Sequence, residues 1–429
     1  MANIFIYDEF NPEDSAMMQA LYSRSPKSVT EHVEKVKSSG SGKFMETFYV
    51  GYGHASIADC GSTTMFIEGV SMLADKAIQD WQLYSGQETS TRYIDMSKQA
   101  IIDPIASPES AAILKNWMDF YISNQEKIQA YLQTKYPKKA DEDEAVYLKA
   151  IKARGFDIMR GFLPAGITTQ LSWHTNLRQA WDKLALLLHH PLEEVRTIAQ
   201  EIYRQLKEKY PHSFSHPYNE DQEKYRENMM AKYNYYHSTN ATDFAFLTTI
   251  KNEEISDYQD AFDSRPPKTS LPNFLNDLGT CTFKFLLDFG SFRDIQRHRS
   301  GICRMPLLST ELGFNPWYLE QLPENLKLEA EKLIATQKEA IAKLDASPEI
   351  KQYYIGMGFN VFCRNTYPLA ATAYVVELRS GKAVHPTLRR VAHKMAAAIS
   401  SSLPNFKLYC DLDLDDWDIR RGLADIVKK

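Results

Sequence analysis

The sequence predicts an α+β fold, mostly helical, made of two tandem halves that pack as a pseudo-dimer. Three observations predict it. Long segments repeat apolar residues at helical spacing, two short stretches carry strand-forming residues, and three stretches of the first half recur in order in the second. In LEEVRTIAQEIYRQLKEKY (192–210), Val195, Ile198, Ile202 and Leu206 fall on one helical face, and PENLKLEAEKLIATQKEAIAKLDAS (323–347) behaves similarly. STTMFIEGV (62–70) and CTFKFLLDF (281–289) are short runs of β-branched and aromatic residues bounded by Gly or Ser, as strands are. From the helix ending near Tyr210 to Asp243 the chain is polar and tyrosine-rich without apolar periodicity, which reads as the connection between halves.

The internal matches justify the division into 1–235 and 236–429. ALYSRSPK (20–27) corresponds to AFDSRPPK (261–268), and TMFIEGVSMLADKAIQDWQLYSG (64–86) to TFKFLLDFGSFRDIQRHRSG (282–301), a strand, a helix and Ser-Gly in both. LPAGITTQLSWHTNLRQAWDKLALLLHHPLEEVR (163–196) is echoed by YPLAATAYVVELRSGKAVHPTLR (367–389), each with a Pro-Leu or Leu-Pro and a His-Pro ahead of an Arg. Three matches in order are the signature of duplication.

Composition bounds the function. With 429 residues, 44% of them hydrophobic, the chain has material for large cores. A net charge of −5 argues against chain-wide attraction to nucleic acid or membrane, so any anionic ligand is held in a local pocket. The N-terminal MANIFIYDEFNPEDS lacks a basic leader and no run of about eighteen apolar residues occurs, so a cytoplasmic location is expected. Cys60, Cys281, Cys303, Cys363 and Cys410 form no CxxC pair and are expected to be reduced core residues. No metal is expected: His212 and His216 have i, i+4 spacing, but Pro211 and Pro217 break the helix a zinc pair needs.

Charge is concentrated in RHRSGICRMPLLS (297–309), where Arg297, His298 and Arg299 adjoin. At the matching place the first half has Asp80-Trp81-Gln82, followed by SGQETSTRY (85–93), which the second half lacks. Arg-His-Arg followed by Ser-x-Arg-Tyr resembles the signature of the flavin-dependent thymidylate synthases, also called thymidylate synthase complementing proteins. Here the signature is split. GHASIAD (53–59), FIEGVS (66–71) and STRY (90–93) resemble the family pattern in the first half, and the second half keeps the triplet but has Leu307 where the serine is expected.

The resemblance implies a family fold of helices with a small, mostly antiparallel sheet. It implies FAD, with NADPH and methylenetetrahydrofolate as cosubstrates, and a uracil nucleotide, dUMP or a relative, as the methyl acceptor. Since the family is a homotetramer with composite sites, it implies a homodimer of this duplicated chain, in which one half supplies what the other lost. Arg297, Arg299, Ser90 and Arg92 would bind the nucleotide. His298, Glu88, Asn176, Arg178 and His54 would contact the flavin, and Arg379 is the counterpart of the family's substrate-activating arginine, a place the first half fills with LALLL (184–188). Physical chemistry agrees in outline: arginine presents fixed charge and bidentate donors to phosphate, and a histidine between two arginines has its pKa pushed down.

Blander readings stand beside these. The triplet alone suits a salt-bridged helix surface, STRY a helix cap, Asn176 and Arg178 surface hydrogen bonding, and His54 a satisfied core histidine. His189-His190 and His385 precede prolines and suit the end of a helix turn. The alternative function is a catalytically silent descendant that binds a nucleotide or flavin for regulation or as a scaffold.

Overall fold

The computed structural model of the chain describes residues 10–22, 29–51, 55–238 and 240–414. In chain order its main elements are α1 (Pro12–Tyr22), α2 (Val29–Ser39), β1 (Ser62–Ser71), α3 (Met72–Gln79), β2 (Ser85–Glu88), α4 (Pro108–Lys135), α5 (Glu144–Met159), β3 (Thr168–Asn176), α6 (Leu177–Leu187), α7 (Glu193–Lys209), α8 (Glu220–Tyr233), β4 (Phe244–Thr248), β5 (Thr280–Asp288), α9 (Phe289–Ile295), β6 (Ile302–Cys303), α10 (Glu324–Lys343), β7 (Asn360–Pro368), α11 (Leu369–Ser380) and α12 (Pro386–Ser402). The α+β class holds, with two small sheets. Among the described residues no helix is long and apolar enough to cross a membrane.

The chain folds into two compact units that interleave in sequence. The first comprises 1–68, 83–88 and 170–234, and the second 69–82, 89–169 and 235–429. This contact-based division does not follow the repeat boundary at 235, because α3, α4 and α5 of the first half belong to the second unit.

In the first unit β3 is central in a sheet of order β1-β3-β2. β2 runs antiparallel to β3, with Ser85 opposite His174 and Glu88 opposite Leu171. The helix expected over 192–210 is α7, which buries Val195, Ala199, Ile202 and Leu206, so Ala199 rather than Ile198 completes the stripe. Met17, Met18, Val33 and Val36 of α1 and α2 form a separate apolar cluster. The segment read as a connection contains α8, a helix with no buried residue. Polar contacts hold it: the Asn219 side chain caps the helix by accepting from Gln222 N at 3.0 Å, Glu220, Asp221 and Glu223 occupy the first turn, where the helix dipole favours negative charge, and Glu223 also pairs with His189 at 2.7 Å. Burial periodicity could not reveal it.

The second unit is built on an antiparallel sheet of order β4-β5-β7-β6. β5 pairs with β7 over its whole length, with Phe285 opposite Cys363. Alternation along β5 buries Cys281, Phe283, Phe285 and Leu287, and burying such side chains stabilises by about 1.5–3 kcal/mol each.

Two segments of this unit meet with twofold reciprocity. Short 3₁₀ turns at Arg160–Phe162 and Gln352–Tyr354 each lead into a strand. Ala165 N donates to Ile355 O at 2.9 Å and Met357 N to Leu163 O at 2.8 Å, while Gly166 N donates to Tyr353 O at 2.9 Å and Gly358 N to Gly161 O at 2.8 Å. The approach requires glycine: a Cβ on Gly166 would lie 2.8 Å from Tyr353 O. The helices that follow the matched strands β1 and β5 are capped alike, Ser71 Oγ accepting from Ala74 N at 3.0 Å and Asp288 Oδ2 from Ser291 N at 2.8 Å. The backbone shifts the third sequence match: Leu163-Pro164 corresponds to Ile355-Gly356, and Asn176-Leu177 to Pro368-Leu369 at the strand-to-helix junction. In that register Leu187 stands where α11 carries Arg379.

Candidate functional site

In the second unit, guanidinium groups from separate stretches gather around three carboxylates, Asp157, Asp288 and Asp294. Arg297, His298 and Arg299 follow the last turn of α9, with His298 N donating to Ile295 O at 3.1 Å. Arg379 lies in the last turn of α11 and reaches this loop: its Nε donates to His298 Nε2 at 2.6 Å and its Nη2 to Asp294 O at 2.5 Å. Since His298 Nε2 accepts, the proton of its neutral ring sits on Nδ1. Arg299 is held by the end of α3, donating from Nε to Gln79 O at 3.3 Å and from Nη2 to Gln79 Oε1 at 3.0 Å. Gln79 is oriented in turn, donating to Asp75 Oδ1 at 2.7 Å.

The STRY stretch belongs to the same cluster. Ser90 shapes a turn: its Oγ accepts from Arg92 N at 3.2 Å and its carbonyl from Ile94 N at 3.2 Å. Thr91 Oγ1 accepts from Arg293 Nη1 at 3.2 Å, joining STRY to the helix that leads into the triplet. Arg92 forms a bidentate pair with Asp157, 2.8 Å from Nε to Oδ1 and 3.2 Å from Nη2 to Oδ2, and donates to Ala383 O at 3.3 Å. Arg160, buried beneath, donates to Ser291 Oγ at 2.6 Å and lies 3.7 Å from Asp288 and 3.6 Å from Asp294.

The electrostatics follow from this crowding. Burial opposes ionisation of Asp294, but the charges of Arg160, Arg92, Arg297 and Arg379 outweigh it and hold the carboxyl at about 2. For His298 burial is the largest cause and the charges of Arg379 and Arg299 add to it, lowering its pKa to about 3. Like charge was the cause expected from sequence; desolvation turns out to be the larger one. Burial also lowers the pKa of Arg379, Asp294 opposing and Arg297 reinforcing it, yet an arginine remains charged. The hydrogen-bonding side chain beside Arg379 is a neutral imidazole, and the nearby Asp294 carboxylate offsets part of the arginine's charge.

A cavity of about 550 Å³ opens beside the cluster, within the roughly 300–1,000 Å³ range of small-molecule sites. Its lining includes Tyr374, Leu378, Leu271 and Pro267. Tyr374 meets the His298 ring edge-on at 5.9 Å between centroids. The ion pair of Arg265 with Glu377 forms part of the wall.

Thus Ser90, Arg92, Arg297, His298, Arg299 and Arg379 share one unit. The other predicted residues do not. Glu88, Asn176 and Arg178 belong to the first unit, where the Asn176 side chain caps α6 by accepting from Gln179 N at 2.8 Å. Arg178 makes a bidentate pair with Asp59 at 2.8 and 2.7 Å. His54 lies outside the described residues. Among the described residues no three His, Cys, Asp or Glu side chains are grouped to hold a metal: His212 pairs with Glu46 at 2.9 Å and the His216 ring stacks on Trp181 at 4.5 Å. His385 begins a helix rather than ending one, as the cap of α12. Cys281, Cys303 and Cys363 are buried thiols, and burial pushes Cys303 up to about 12.

Sequence reasoning did not place Arg160, Asp157, Gln79 or Asp294 in the site. Arg160 stands three residues ahead of the matched Leu163-Pro164 and has Gln352 as its counterpart, the same kind of one-sided charge that singled out the triplet. Asp157 and Gln79 carried no such signal.

Comparison with known proteins places the first half in context. Residues 7–212 match the family model described as thymidylate synthase complementing protein. The chain is 24% identical to a UPF0159 protein of Chlamydia muridarum (strain MoPn / Nigg), the match spanning 86% of this chain and 81% of that protein. A UPF0159 protein of Chlamydia pneumoniae is 23% identical over 86% of this chain and 80% of its own length, and one of Thermoplasma acidophilum is 22% identical over 97% and 98%. These matches extend well beyond residue 212, so the relatives share both halves.

Proposed function

Through residues 7–212 the chain belongs to the thymidylate synthase complementing protein family, and from that membership we propose a flavin-dependent, thymidylate-synthase-like enzyme. It would methylate dUMP or a related uracil nucleotide, with methylenetetrahydrofolate as carbon donor and NADPH as reductant. The observation that carries this reading is the meeting of the split signature: Thr91 of STRY bonds Arg293 at 3.2 Å, and both Arg92 and Arg297 act on Asp294. What each half lacks, the other contributes within one unit.

In this reading Arg92 and Arg297 take the nucleotide phosphate, where bidentate guanidinium donors suit it. Arg299, fixed by Gln79, adds charge without moving. Ser90 offers its hydroxyl to the nucleotide rather than acting as a nucleophile, since its turn brings it no base. Arg379 stabilises the negative charge that develops on the uracil ring as its carbon attacks the one-carbon unit. A buried charge already in place acts strongly there because nothing has to reorganise.

The residues fit a flavin in part. His298 is buried, neutral and beside an apolar cavity, which suits a planar ring. Within the first unit, any ligand at Asn176 and Arg178 would have to displace the helix cap and the Asp59 pair. Bound FAD would supply the hydride that completes the methyl group. The reciprocal hydrogen bonds between 160–166 and 352–358 support descent of the two halves from one dimerising ancestor, since an isologous contact repeats each bond in reverse. A homodimer of this chain would then stand in for the family homotetramer.

One observation favours the second reading, a silent nucleotide- or flavin-binding descendant. Asp157 and Asp294 already neutralise part of the guanidinium cluster. The experiment is a visible absorption titration of the purified chain with FAD and then dUMP. A saturable flavin spectrum that changes on adding dUMP, followed by turnover with methylenetetrahydrofolate and NADPH, supports the enzyme. Binding without turnover favours the descendant, and no flavin binding sinks the flavoenzyme.

A further inference from the structure

After the buried Phe406 the chain runs along the cavity beside the guanidinium cluster, and Tyr409 and Asp411 form part of the cavity wall. Polar contacts hold this stretch in place. Arg265 donates to Lys407 O at 3.2 Å, Tyr409 N donates to Glu377 Oε1 at 2.9 Å, and Tyr409 Oη donates to Arg265 O at 2.6 Å. Further along, Asp411 N donates to Ser380 Oγ at 3.1 Å, and Asp411 O accepts from His393 Nε2 at 2.9 Å. Two ion pairs follow: Asp411 lies 3.3 Å from Arg389, and Asp413 lies 2.8 Å from Lys382. Leu412 and Leu414 add little apolar burial, being 60% and 72% exposed.

The attachment also reaches the cluster. Lys382 is followed by Ala383 in the turn between α11 and α12, and Ala383 O accepts from Arg92 at 3.3 Å. Asp413 and Arg92 thus grip adjacent residues of one short turn. A segment fastened by exposed ion pairs rather than by apolar burial opens at low free energy, and salt weakens such pairs further. Opening would take Tyr409 and Asp411 out of the cavity wall and release the turn that meets Arg92. We propose that residues 407–414 are an ionic clasp: closed, they complete the cavity and hold the 382–383 turn so that Arg92 stays set, and released, they undo both. Only the consequence for a ligand rests on the reading of the cavity and cluster as a flavin and nucleotide site; the clasp stands on its own contacts.

Cys410, inside the clasp, reports on its opening. The thiol is half-buried, and burial pushes it up to about 11, so release both exposes it and lets it ionise. The test is the rate of Cys410 alkylation by iodoacetamide at low and high salt, read by peptide mass spectrometry in wild type, D411N/D413N and K382Q. Cys281, buried in β5, is the control for global unfolding. Alkylation of Cys410 should quicken about tenfold in D411N/D413N, less in K382Q, and in wild type at high salt, with Cys281 unlabelled throughout. Amide hydrogen exchange of the 381–385 turn should quicken in the same two variants. Unchanged Cys410 alkylation in both variants overturns the clasp, as does labelling of Cys281 at the same rate. Faster alkylation with unchanged exchange at 381–385 overturns its hold on the turn. In calorimetric titration dUMP should weaken about threefold or more in D411N/D413N, and unchanged affinity overturns the link to ligand binding. A wild type that does not bind dUMP fails the nucleotide reading instead, while the expected alkylation and exchange still support the clasp.

Discussion

The pH dependence of stability offers a direct test of the environment assigned to His298. Its folded-state pKa is about 3 against an ordinary value of 6.5, because the ring is buried and flanked by Arg379 and Arg299. The sign follows from linkage: above pH 6.5 the ring is neutral both folded and unfolded, and below it the unfolded chain gains a proton that the folded chain refuses. Stability is therefore lost as pH falls from 6.5 toward 3. The loss attributable to this group is negligible at pH 7.5 and on the order of 1 kcal/mol at pH 5.5. His190, also at about 3, contributes a similar loss, and His385 is shifted in the same direction. Urea unfolding of the wild type and of H298Q at both pH values isolates the one group, since glutamine cannot titrate but still offers an acceptor to Arg379. The difference between pH 7.5 and 5.5 should be smaller in H298Q by on the order of 1 kcal/mol. An identical pH dependence in the two proteins would refute the buried, neutral imidazole, whatever the variant's baseline stability.

Further substitutions probe the rest of the cluster. D294N should cost about 2 kcal/mol at pH 7, since the carboxyl at about 2 stabilises the fold at any pH above its ordinary range. That cost should shrink as pH falls toward 2, and equal destabilisation at pH 7 and pH 3 would argue for a loss of packing instead. R92A strips the buried Asp157 of its bidentate partner and should destabilise by about 3–5 kcal/mol. R297A, at an exposed position, should stay within about 0.5 kcal/mol of wild type while weakening dUMP about tenfold or more in a calorimetric titration. Unchanged dUMP affinity there would remove Arg297 from the site. A double-mutant cycle of Q79A and R299A should show coupling of at least about 0.5 kcal/mol in unfolding free energy, and additivity would mean that Gln79 does not hold Arg299.

The strands at 62–71 and 280–288 and the helix at 193–209 were legible because burial imposes a period on sequence, and the split signature because charge was placed in one half and missing from the other. α8 was not legible, since a helix that buries no residue and is held by its cap and by polar pairs such as Glu223 with His189 leaves no apolar period. The third internal match is the least secure of the three in sequence, since short Pro-Leu pairs recur by chance, and the reciprocal backbone bonds between 163–166 and 353–358 suggest a different register.

By itself the sequence determined which residues are cationic, and that the Arg-His-Arg triplet at 297–299 and STRY at 90–93 stand far apart in the chain. Only the tertiary structure decided that Arg92, Arg160, Arg297 and Arg379 act on one buried carboxylate, and that Gln79 holds Arg299 of the distant triplet. The reason is physical. Pairing, burial and pKa depend on distances of a few ångströms between residues up to about three hundred positions apart, and no local pattern encodes such distances.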